Sequence, residues 1–244
     1  MTASLPARSR ALDATEKAAR RQAILDAAHR LLVSSPDTFP SVAQIAAAAG
    51  LAKGTVYLYF STKEDILLTL LGAHYTRLLD TIEGLVQQAG ALPADALRTR
   101  FVACLRDYIL EHPDYMVLAC SASAVLEANA SEDVILAFKR TLAVRLRHLG
   151  EHVHQLFPRL SPEAGIQLLI QVHASMLGLW QMHRIPEKVR QWLEQESIEW
   201  VVPQLDRYLD QAVHWLWLGA LGGASQDVAD GGDKPGANDY DECR

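Results

Sequence analysis

The chain of 244 residues is poor in cysteine and has no long apolar run. Its three cysteines, Cys104, Cys120 and Cys243, are odd in number and lack CxxC spacing, which argues against both a disulfide framework and a zinc site. A membrane-spanning helix needs about 18 consecutive apolar residues, and no such run is present. The segment MTASLPARSR has no apolar core after its charges, unlike a secretory signal. These absences predict a cytoplasmic protein that does not bind a membrane.

Sequence motifs of catalytic sites are also missing. The chain contains no glycine-rich phosphate loop, no GxSxG and no HExxH. We therefore expect neither an enzyme nor a bound cofactor or metal ion. An all-α enzyme is an alternative, but the sequence offers no residues for it.

Charge is unevenly distributed along the chain. Residues 1–63 contain eight Lys and Arg against four Asp and Glu, a balance of +4. Residues 64–222 balance at −6 and residues 223–244 at −4. A basic end on an acidic remainder favours a polyanionic partner that approaches from one side.

Patterns typical of paired β-strands are absent, whereas helix-start and helix-stop signals recur. Ser41 is an N-cap for VAQIAAAA, and Gly50 is a stop after it. STKE at 61–64 fits a capping box, and SPEAG at 161–165 begins a later helix with Pro at its first position. The sequence therefore predicts an all-α fold of nine or ten helices.

The segment GLAKGTVYLYF at 50–60 is strand-like in composition but has no partner strand nearby. Only ten residues separate the Gly50 stop from the Ser61 cap, which leaves room for a tight turn and a short helix from Lys53 to Tyr59. Small or apolar residues stand where two such helices would cross and pack, at Ala46, Gly50 and Val56. The pattern predicts a DNA-binding helix-turn-helix at 41–60.

The stretch SVAQIAAAAGLAKGTVYLYFSTKEDIL at 41–67 resembles the DNA-binding signature of the TetR (tetracycline-repressor) family of bacterial transcriptional regulators. The matching residues are Ile45-Ala46, Ala49-Gly50, Lys53-Gly54-Thr55, Tyr57, Tyr59-Phe60 and Lys63-Glu64. A basic, Ala-rich helix at 15–34 precedes them, as in the family. One departure is Ala52, where the family usually has a Ser-type cap; a missing cap oxygen costs about 1 kcal/mol.

The resemblance implies a three-helix DNA-binding head joined to a larger helical domain that dimerises and holds a ligand. The expected organisation is a disordered arm at 1–14, the head at 15–64, the helical domain at 65–222 and a disordered acidic tail at 223–244. The tail is rich in Gly and Asp and nearly lacks aliphatic residues, so it cannot offset the entropy of ordering.

The resemblance also implies which residues contact double-stranded operator DNA. The short helix would enter the major groove, where Gly54 allows close backbone approach and Thr55 contacts a base edge or a phosphate. The expected DNA-binding residues are Ser41, Val42, Lys53, Gly54, Thr55, Tyr57, Tyr59 and Lys63. Basic residues of the preceding helix either extend this surface or form a solvated helix face, namely Lys17, Arg20 and Arg21.

Two later segments have apolar faces suited to dimerisation. In the helix at 162–183 the apolar stripe covers about 200 degrees, which indicates packing on two sides. In the segment 198–218, apolar residues follow the spacing of a bundle seam. We expect a homodimer through these two helices. Pro203 interrupts the second, so this helix is either kinked there or begins later.

A small-molecule effector would require apolar and aromatic walls with a few polar groups. The candidate ligand-binding residues are Phe101, Cys104, Tyr108, Met116, His173, Met176 and Trp180. Ordinary core or dimer packing is the alternative for each, and His173 is alternatively a hydrogen-bonded core histidine.

Three histidines, His148, His152 and His154, superficially resemble a metal site. The first two share the polar side of their helix with Thr141 and Arg145, so we expect a solvated face instead.

The function expected from these features is a ligand-responsive transcriptional regulator. As a dimer it would bind a near-palindromic operator and act as a repressor, and a small hydrophobic effector would release it. The alternative is a DNA-binding regulator without a small-molecule ligand, either constitutive or controlled by a protein partner.

Overall fold

The computed structural model describes residues 7–35, 38–90 and 92–223. These residues form α-helices and no β-strand, which confirms the all-α prediction. No helix among them combines the length and apolarity needed to cross a membrane. A π-helical turn at Ala122–Leu126 and a 3₁₀ turn at Glu199–Val201 lie between α-helices. The α-helices are α1 (Ala7–Ser34), α2 (Val42–Ala48), α3 (Lys53–Val56), α4 (Lys63–Gln87), α5 (Ala94–Glu111), α6 (Pro113–Cys120), α7 (Glu127–Asn129), α8 (Glu132–Leu156), α9 (Pro162–His183), α10 (Glu187–Gln195) and α11 (Leu205–Gly223).

Helix α1 begins at Ala7, so residues 7–14 of the arm that was expected to be disordered are helical. Their sequence, ARSRALDA, consists largely of residues with high helix propensity. Residues 1–6 lie outside the described part of the chain, and so does the acidic tail beyond Gly223, including Cys243. Disorder in those segments stays a prediction.

The start of α4 is one residue later than the predicted capping box at 61–64. Thr62 is the N-cap: its Oγ1 accepts from the Asp65 N–H at 3.0 Å, and Asp65 Oδ2 accepts from the Thr62 N–H at 3.1 Å. The sequence fits two overlapping boxes, Ser61-x-x-Glu64 and Thr62-x-x-Asp65. The second box is the one that forms. Asp65 is buried, and its carboxylate also accepts from the Ser61 N–H at 3.0 Å.

Helices α1–α3 form the head, α5–α11 form the body, and α4 belongs to both. The buried core of the head includes Ile24, Ile45, Val56 and Phe60. Helix α4 packs on α1 of the head and on α5, α6 and α8 of the body. Helix α8 packs in turn on α9, and α9 on α11. Helix α4 therefore runs from the head to the centre of the body.

Helices α8 and α9 cross in close contact near the loop that joins them. A Cβ on Gly150 would lie 2.6 Å from the Pro162 carbonyl oxygen and 2.7 Å from Ile166 Cγ1. A Cβ on Gly165 would lie 3.2 Å from Val153 Cγ1. The two glycines therefore allow the helices to approach more closely than larger residues would.

Helix α11 begins at Leu205, after Pro203. The predicted helix at 198–218 is therefore wrong at its start, because proline lacks the N–H that would continue the helical hydrogen bonds. Ile198 and Val202 instead flank the 3₁₀ turn. Of the two alternatives for Pro203, the structure has the later start.

Candidate DNA-binding surface and ligand cavity

Gly50 sets the turn between α2 and α3. Its φ of +68° lies in the left-handed region that favours glycine. The Gly50 N–H donates to the Ala47 carbonyl at 3.1 Å, and the Leu51 N–H donates to the Ala46 carbonyl at 2.9 Å. These two bonds form the Schellman motif that ends a helix. The turn thus directs the chain from α2 into α3.

Helix α3 is shorter than predicted and is held by apolar side chains beneath it. It covers Lys53–Val56, and residues 57–59 continue as turns. Val56 and Phe60 are buried in the core of the head. Ala52 is the N-cap and supplies no side-chain hydrogen bond. Burial, not capping, therefore fixes α3 in place.

The outer surface of α3 is polar, aromatic and open. Lys53, Gly54 and Tyr57 are exposed, and Thr55 is half-buried. No neighbouring atom lies within 4 Å of the position a Cβ would take on Gly54, so packing within the chain does not require glycine there. Leu58, which was not among the predicted residues, is 76% exposed. An apolar side chain at this position can contact the methyl group of a thymine.

The other predicted DNA contacts have different surroundings. Ser41 is exposed and forms a capping box with Gln44. Lys63 is partly exposed, with its Nζ 3.6 Å from Glu64 Oε1. The Val42 side chain is buried, and Tyr59 is half-buried and packs against the core of the head. The structure thus leaves Ser41 and Lys63 accessible and places the Val42 side chain in the core.

Basic residues of α1 lie beside this surface. The guanidinium of Arg21 is 4.6 Å from the centroid of the Phe60 ring. Arg20 pairs with Glu16 at 2.8 Å, and Lys17 is exposed. Arg21 is therefore the member of this group that contacts the α3 region directly.

A cavity of about 290 Å³ lies between α4, α5, α8 and α9. Phe101, His173 and Met176, three of the predicted ligand-binding residues, line it. Its walls are mainly apolar and include no Lys, Arg, Asp or Glu. The other lining residues are Tyr75, Leu78, Leu79, Ile82, Leu105, Leu142, Leu146, Leu169, Ile170 and Val172.

His173 supplies a polar group to this cavity. Its Nε2 lies 3.2 Å from the Tyr75 hydroxyl and 3.0 Å from the Tyr115 hydroxyl, which can donate to it. Burial lowers the pKa of His173 to about 4. Burial also raises the pKa of Tyr75 and of Tyr115 above the ordinary value. All three side chains are therefore neutral at neutral pH, and the cavity offers hydrogen bonding without charge.

The other four predicted ligand-binding residues lie elsewhere. On α5, Phe101 and Leu105 are one turn apart and face the cavity, whereas Cys104 and Tyr108 lie on the neighbouring face. Met116 is fully buried in the core. Trp180 lines a separate surface depression, where the guanidinium of Arg184 is 4.5 Å from its ring centroid.

Family models match both parts of the chain. The model for bacterial regulatory proteins of the tetR family covers residues 24–70. The model for the tetracyclin repressor-like C-terminal domain covers residues 73–224, more than half of the chain. The chain belongs to the TetR family. This confirms the resemblance, and with it the prediction of a transcriptional regulator that is not an enzyme.

Two proteins of Bacillus subtilis (strain 168) are related in sequence. The uncharacterised HTH-type transcriptional regulator YuxN is 30% identical over 97 residues, which are 40% of this chain and 33% of YuxN. The fatty acid metabolism regulator protein is 35% identical over 68 residues, which are 28% of this chain and 35% of that protein. The TetR-family chain thus matches about a third of the length of each relative.

A solved structure shows the same fold. The fatty acid degradation regulator FadR from Bacillus halodurans aligns with a TM-score of 0.50 and 19% sequence identity. The alignment covers 81% of this chain and 94% of FadR. The TetR architecture of a helix-turn-helix head and a larger helical body therefore extends over most of the chain.

In this TetR-family regulator, one buried carboxylate connects α4 to the body. Asp65 is 1% exposed, and its Oδ2 accepts from the backbone N–H groups of Ser61 and Thr62. Its Oδ1 accepts from the Ser131 N–H at 2.7 Å. Ser131 is the N-cap of α8, which lines the cavity. The first turns of α4 and α8 are therefore joined, a link that sequence patterns did not indicate.

The regulator also has exposed apolar residues on α9 and α11, which pack against each other. The buried side of α11 carries Leu209 and Val213. On its other side Tyr208, Trp215 and Leu218 are 40%, 62% and 55% exposed. Helix α9 contributes Ile170, which is 51% exposed. A row of large apolar side chains in contact with water is typical of a protein–protein interface.

The polar side of α8, expected to be solvated, is exposed at Thr141 and His148 and also contacts α4. His148 Nδ1 is 3.3 Å and His152 Nδ1 is 3.7 Å from Glu83 Oε1. Arg145 lies 3.5 Å from the other oxygen of Glu83. His154 is separate, since its Nδ1 contacts a backbone carbonyl. This face therefore forms ion-pair contacts between α4 and α8.

Proposed function

We propose that this regulator binds a near-palindromic operator as a homodimer in the cytoplasm, represses transcription and is released by a small hydrophobic effector. The head at 15–64 would bind DNA, and the helical domain at 65–222 would dimerise and bind the effector. The observation that carries this proposal is the position of the cavity against α4, whose first turn contains Lys63 and Asp65. A ligand that displaces α4 acts on the head through the same helix.

The surface of α3 supports the proposed DNA contacts. Lys53 and Lys63 offer positive charge to phosphates, and the open space at Gly54 lets the backbone approach the groove. Tyr57 and Thr55 offer hydroxyl groups to phosphates or base edges. Two such heads in a dimer would lie about 34–36 Å apart to reach successive major grooves, which corresponds to a near-palindromic site.

The cavity indicates the class of effector. Its volume of about 290 Å³ is just below the range of about 300–1,000 Å³ for small-ligand sites, which favours a small effector. Because no charged side chain lines it and His173 is neutral, the buried part of the effector should be uncharged and mainly apolar. Acyl compounds are reasonable first candidates, since one relative is a regulator of fatty acid metabolism.

Release requires the effector to prefer the state that does not bind DNA. A ligand with equal affinity for both states changes nothing, whereas a shift from 1:99 to 99:1 needs about a 10⁴-fold preference. Rearranging α4 against α8 to enlarge the cavity would provide such a preference. The Asp65–Ser131 bond joins the first turn of α4 to the N-cap of α8.

Selection of bound fragments from bacterial genomic DNA tests the operator. The full chain should enrich a near-palindromic site, and footprinting should show two protected half-sites in successive major grooves. Repeating the selection with a panel of uncharged acyl compounds should identify one that reduces enrichment. If no sequence is enriched over random DNA, the proposal of a specific operator is wrong.

Replacing Lys63 by Gln should weaken binding to all DNA sequences alike. One lost phosphate contact lowers the slope of log affinity against log salt by about 0.9. Fluorescence anisotropy with specific and random duplexes over a salt series measures both effects. Lys188→Gln, an exposed lysine on α10, is the matched control and should keep the wild-type slope. A wild-type slope for Lys63→Gln would remove this residue from the interface.

Filling the cavity should abolish the effector response and preserve operator binding. Leu146 on α8 is half-buried at the cavity wall, so Leu146→Trp should occupy part of the 290 Å³. We expect loss of the fluorescence of bound N-phenyl-1-naphthylamine, an uncharged apolar probe, and loss of release by any active compound. Leu110→Trp, at an exposed position of α5, is the control. If both variants respond like wild type, the regulator uses no ligand in this cavity.

A further inference from the structure

Three side chains that commonly bind metals meet where the head joins α4 and the body. His29 belongs to α1, His74 to α4 and Asp114 to the first turn of α6. Asp114 Oδ2 lies 3.0 Å from His74 Nε2 and 3.3 Å from His29 Nε2. One ligand atom from each residue lies within 4.8 Å of the other two. The side chains of His74 and Asp114 are 1% exposed and that of His29 is 40% exposed.

The hydrogen bonds in this cluster fix the tautomer of His74 and leave one oxygen of Asp114 without a partner. The Tyr108 hydroxyl donates its single proton to the His74 carbonyl at 3.0 Å. Its 3.0 Å contact with His74 Nδ1 must therefore be donated by the ring, so Nδ1 carries the proton. His74 Nε2 and Asp114 Oδ2 are in hydrogen-bond contact at 3.0 Å, and a cation bound by both atoms would take the place of the proton between them. Asp114 Oδ1 is buried and has no hydrogen-bond partner.

The spacing of these atoms suits a tetrahedral cation. Zn²⁺ binds imidazole nitrogen and carboxylate oxygen at about 2.0–2.2 Å, which places adjacent ligand atoms about 3.3 Å apart. The distances of 3.0 and 3.3 Å from Asp114 Oδ2 are close to this value. The Nδ1–H of His74 that points to Tyr108 is the outer hydrogen bond expected of a metal-binding histidine. The exposed side of His29 leaves access for the ion and for a water ligand.

A second cluster of Glu83, His148 and His152 is less suitable. The guanidinium of Arg145 pairs with Asp80 and also lies 3.5 Å from Glu83 Oε2, so a positive charge already stands beside that carboxylate. Among the ion pairs of the described residues, Asp114 pairs with His29 and His74 and with no Lys or Arg.

We propose that His29, His74 and Asp114 bind one divalent transition-metal cation of the Zn²⁺ type. Because the ligands come from α1, α4 and α6, a bound cation holds the head against the body. Sequence patterns did not indicate this site, since its residues are far apart along the chain. The site is separate from the ligand cavity, and metal binding does not depend on the proposed DNA-binding function.

A zinc titration tests the proposal. The full chain is stripped of metal and then titrated with Zn²⁺ in competition with a chromophoric chelator. We expect one Zn²⁺ per chain, and Co²⁺ in its place should give the visible absorption bands of tetrahedral coordination. His29→Ala removes a half-exposed ligand and should weaken binding at least about 100-fold, since even outer-shell changes cost about 10–100-fold. Hydrogen exchange should slow in α1 and α6 when Zn²⁺ is added to wild type, but not when it is added to His29→Ala.

His112→Ala is the matched control, because its ring centroid is 5.4 Å from that of His74 but it is not among the three ligands. It should bind Zn²⁺ like wild type, and circular dichroism should show native helix content for both variants. Absence of stoichiometric Zn²⁺ binding by wild type, or unchanged affinity in His29→Ala, would overturn the proposal. Loss of binding in a His148→Ala, His152→Ala double variant alone would assign the metal to the other cluster and would also overturn it.

Discussion

Replacing Trp215 by Glu is expected to convert the dimer into folded monomers. Trp215 is 62% exposed on the outer side of α11, so its replacement removes little of the chain's own packing. In the proposed dimer the same side chain would be buried between two copies of α9 and α11. A carboxylate buried there without a partner would be unfavourable, and an aromatic residue at the centre of an interface often contributes about 2 kcal/mol or more.

Twofold symmetry doubles this effect. Each interface contains Trp215 twice, so the loss is about 4 kcal/mol, or about a thousandfold in the dimer dissociation constant. Sedimentation velocity at micromolar protein should show a dimer for wild type and a monomer for the variant. Operator affinity should fall as well, because a monomer contacts one half-site only.

Trp192→Glu on α10 provides the matched control. Trp192 is 54% exposed and lies outside the two helices proposed for the interface. This variant should stay dimeric and bind the operator like wild type. A monomeric Trp192 variant together with a dimeric Trp215 variant would instead place the interface at α10.

Replacing Asp65 by Asn should strongly destabilise the fold and weaken the connection between head and body. The carboxylate accepts three backbone N–H bonds, from Ser61, Thr62 and Ser131, and is 1% exposed. The amide of Asn has a single acceptor oxygen, so its NH₂ group would face at least one N–H donor. A hydrogen bond to a charged group contributes about 1.5–3 kcal/mol, and a buried unsatisfied N–H costs about 1–3 kcal/mol.

We therefore expect a loss of about 3 kcal/mol in the free energy of unfolding. For a chain of this size, that lowers Tm by roughly 6–12 °C. Calorimetry measures this value, and Asp133→Asn is the control because Asp133 is exposed in the first turn of α8. The control should change stability by about 0.3–1 kcal/mol through the helix dipole. Equal Tm values for the two variants would contradict the role assigned to Asp65.

The head could be predicted in detail because its signals are local. Gly50 at a left-handed turn, Ser41 as an N-cap, and the spacing of Val56 and Phe60 all depend on residues close in sequence. The error at the start of α4 has a non-local origin. Ser61 and Thr62 are both plausible caps, and the choice between them depends on Asp65, which also bonds to Ser131 in the body.

The cavity could be predicted only in part. Helical periodicity indicates which residues share a face, but not which face meets a cavity, so Phe101 was identified together with Cys104 and Tyr108. Tyr75 and Tyr115 converge on His173 only after α4, α6 and α9 pack. The polar groups of the candidate site are thus far apart along the chain, and a single sequence does not show that they meet.

The close crossing at Gly150 affects how far each part of α8 would move if the helix rotated. The tight contact with α9 leaves α8 little room to move at that end, so a rotation of α8 would have its pivot there. At about 1.5 Å per residue, the cavity residues Leu142 and Leu146 lie about 6–12 Å from the pivot, and Ser131 lies about 28 Å from it. A displacement at the cavity is therefore magnified roughly two- to fivefold at Ser131. An effector that moves the wall of the cavity by a fraction of an ångström would move the partner of Asp65 by an ångström or more.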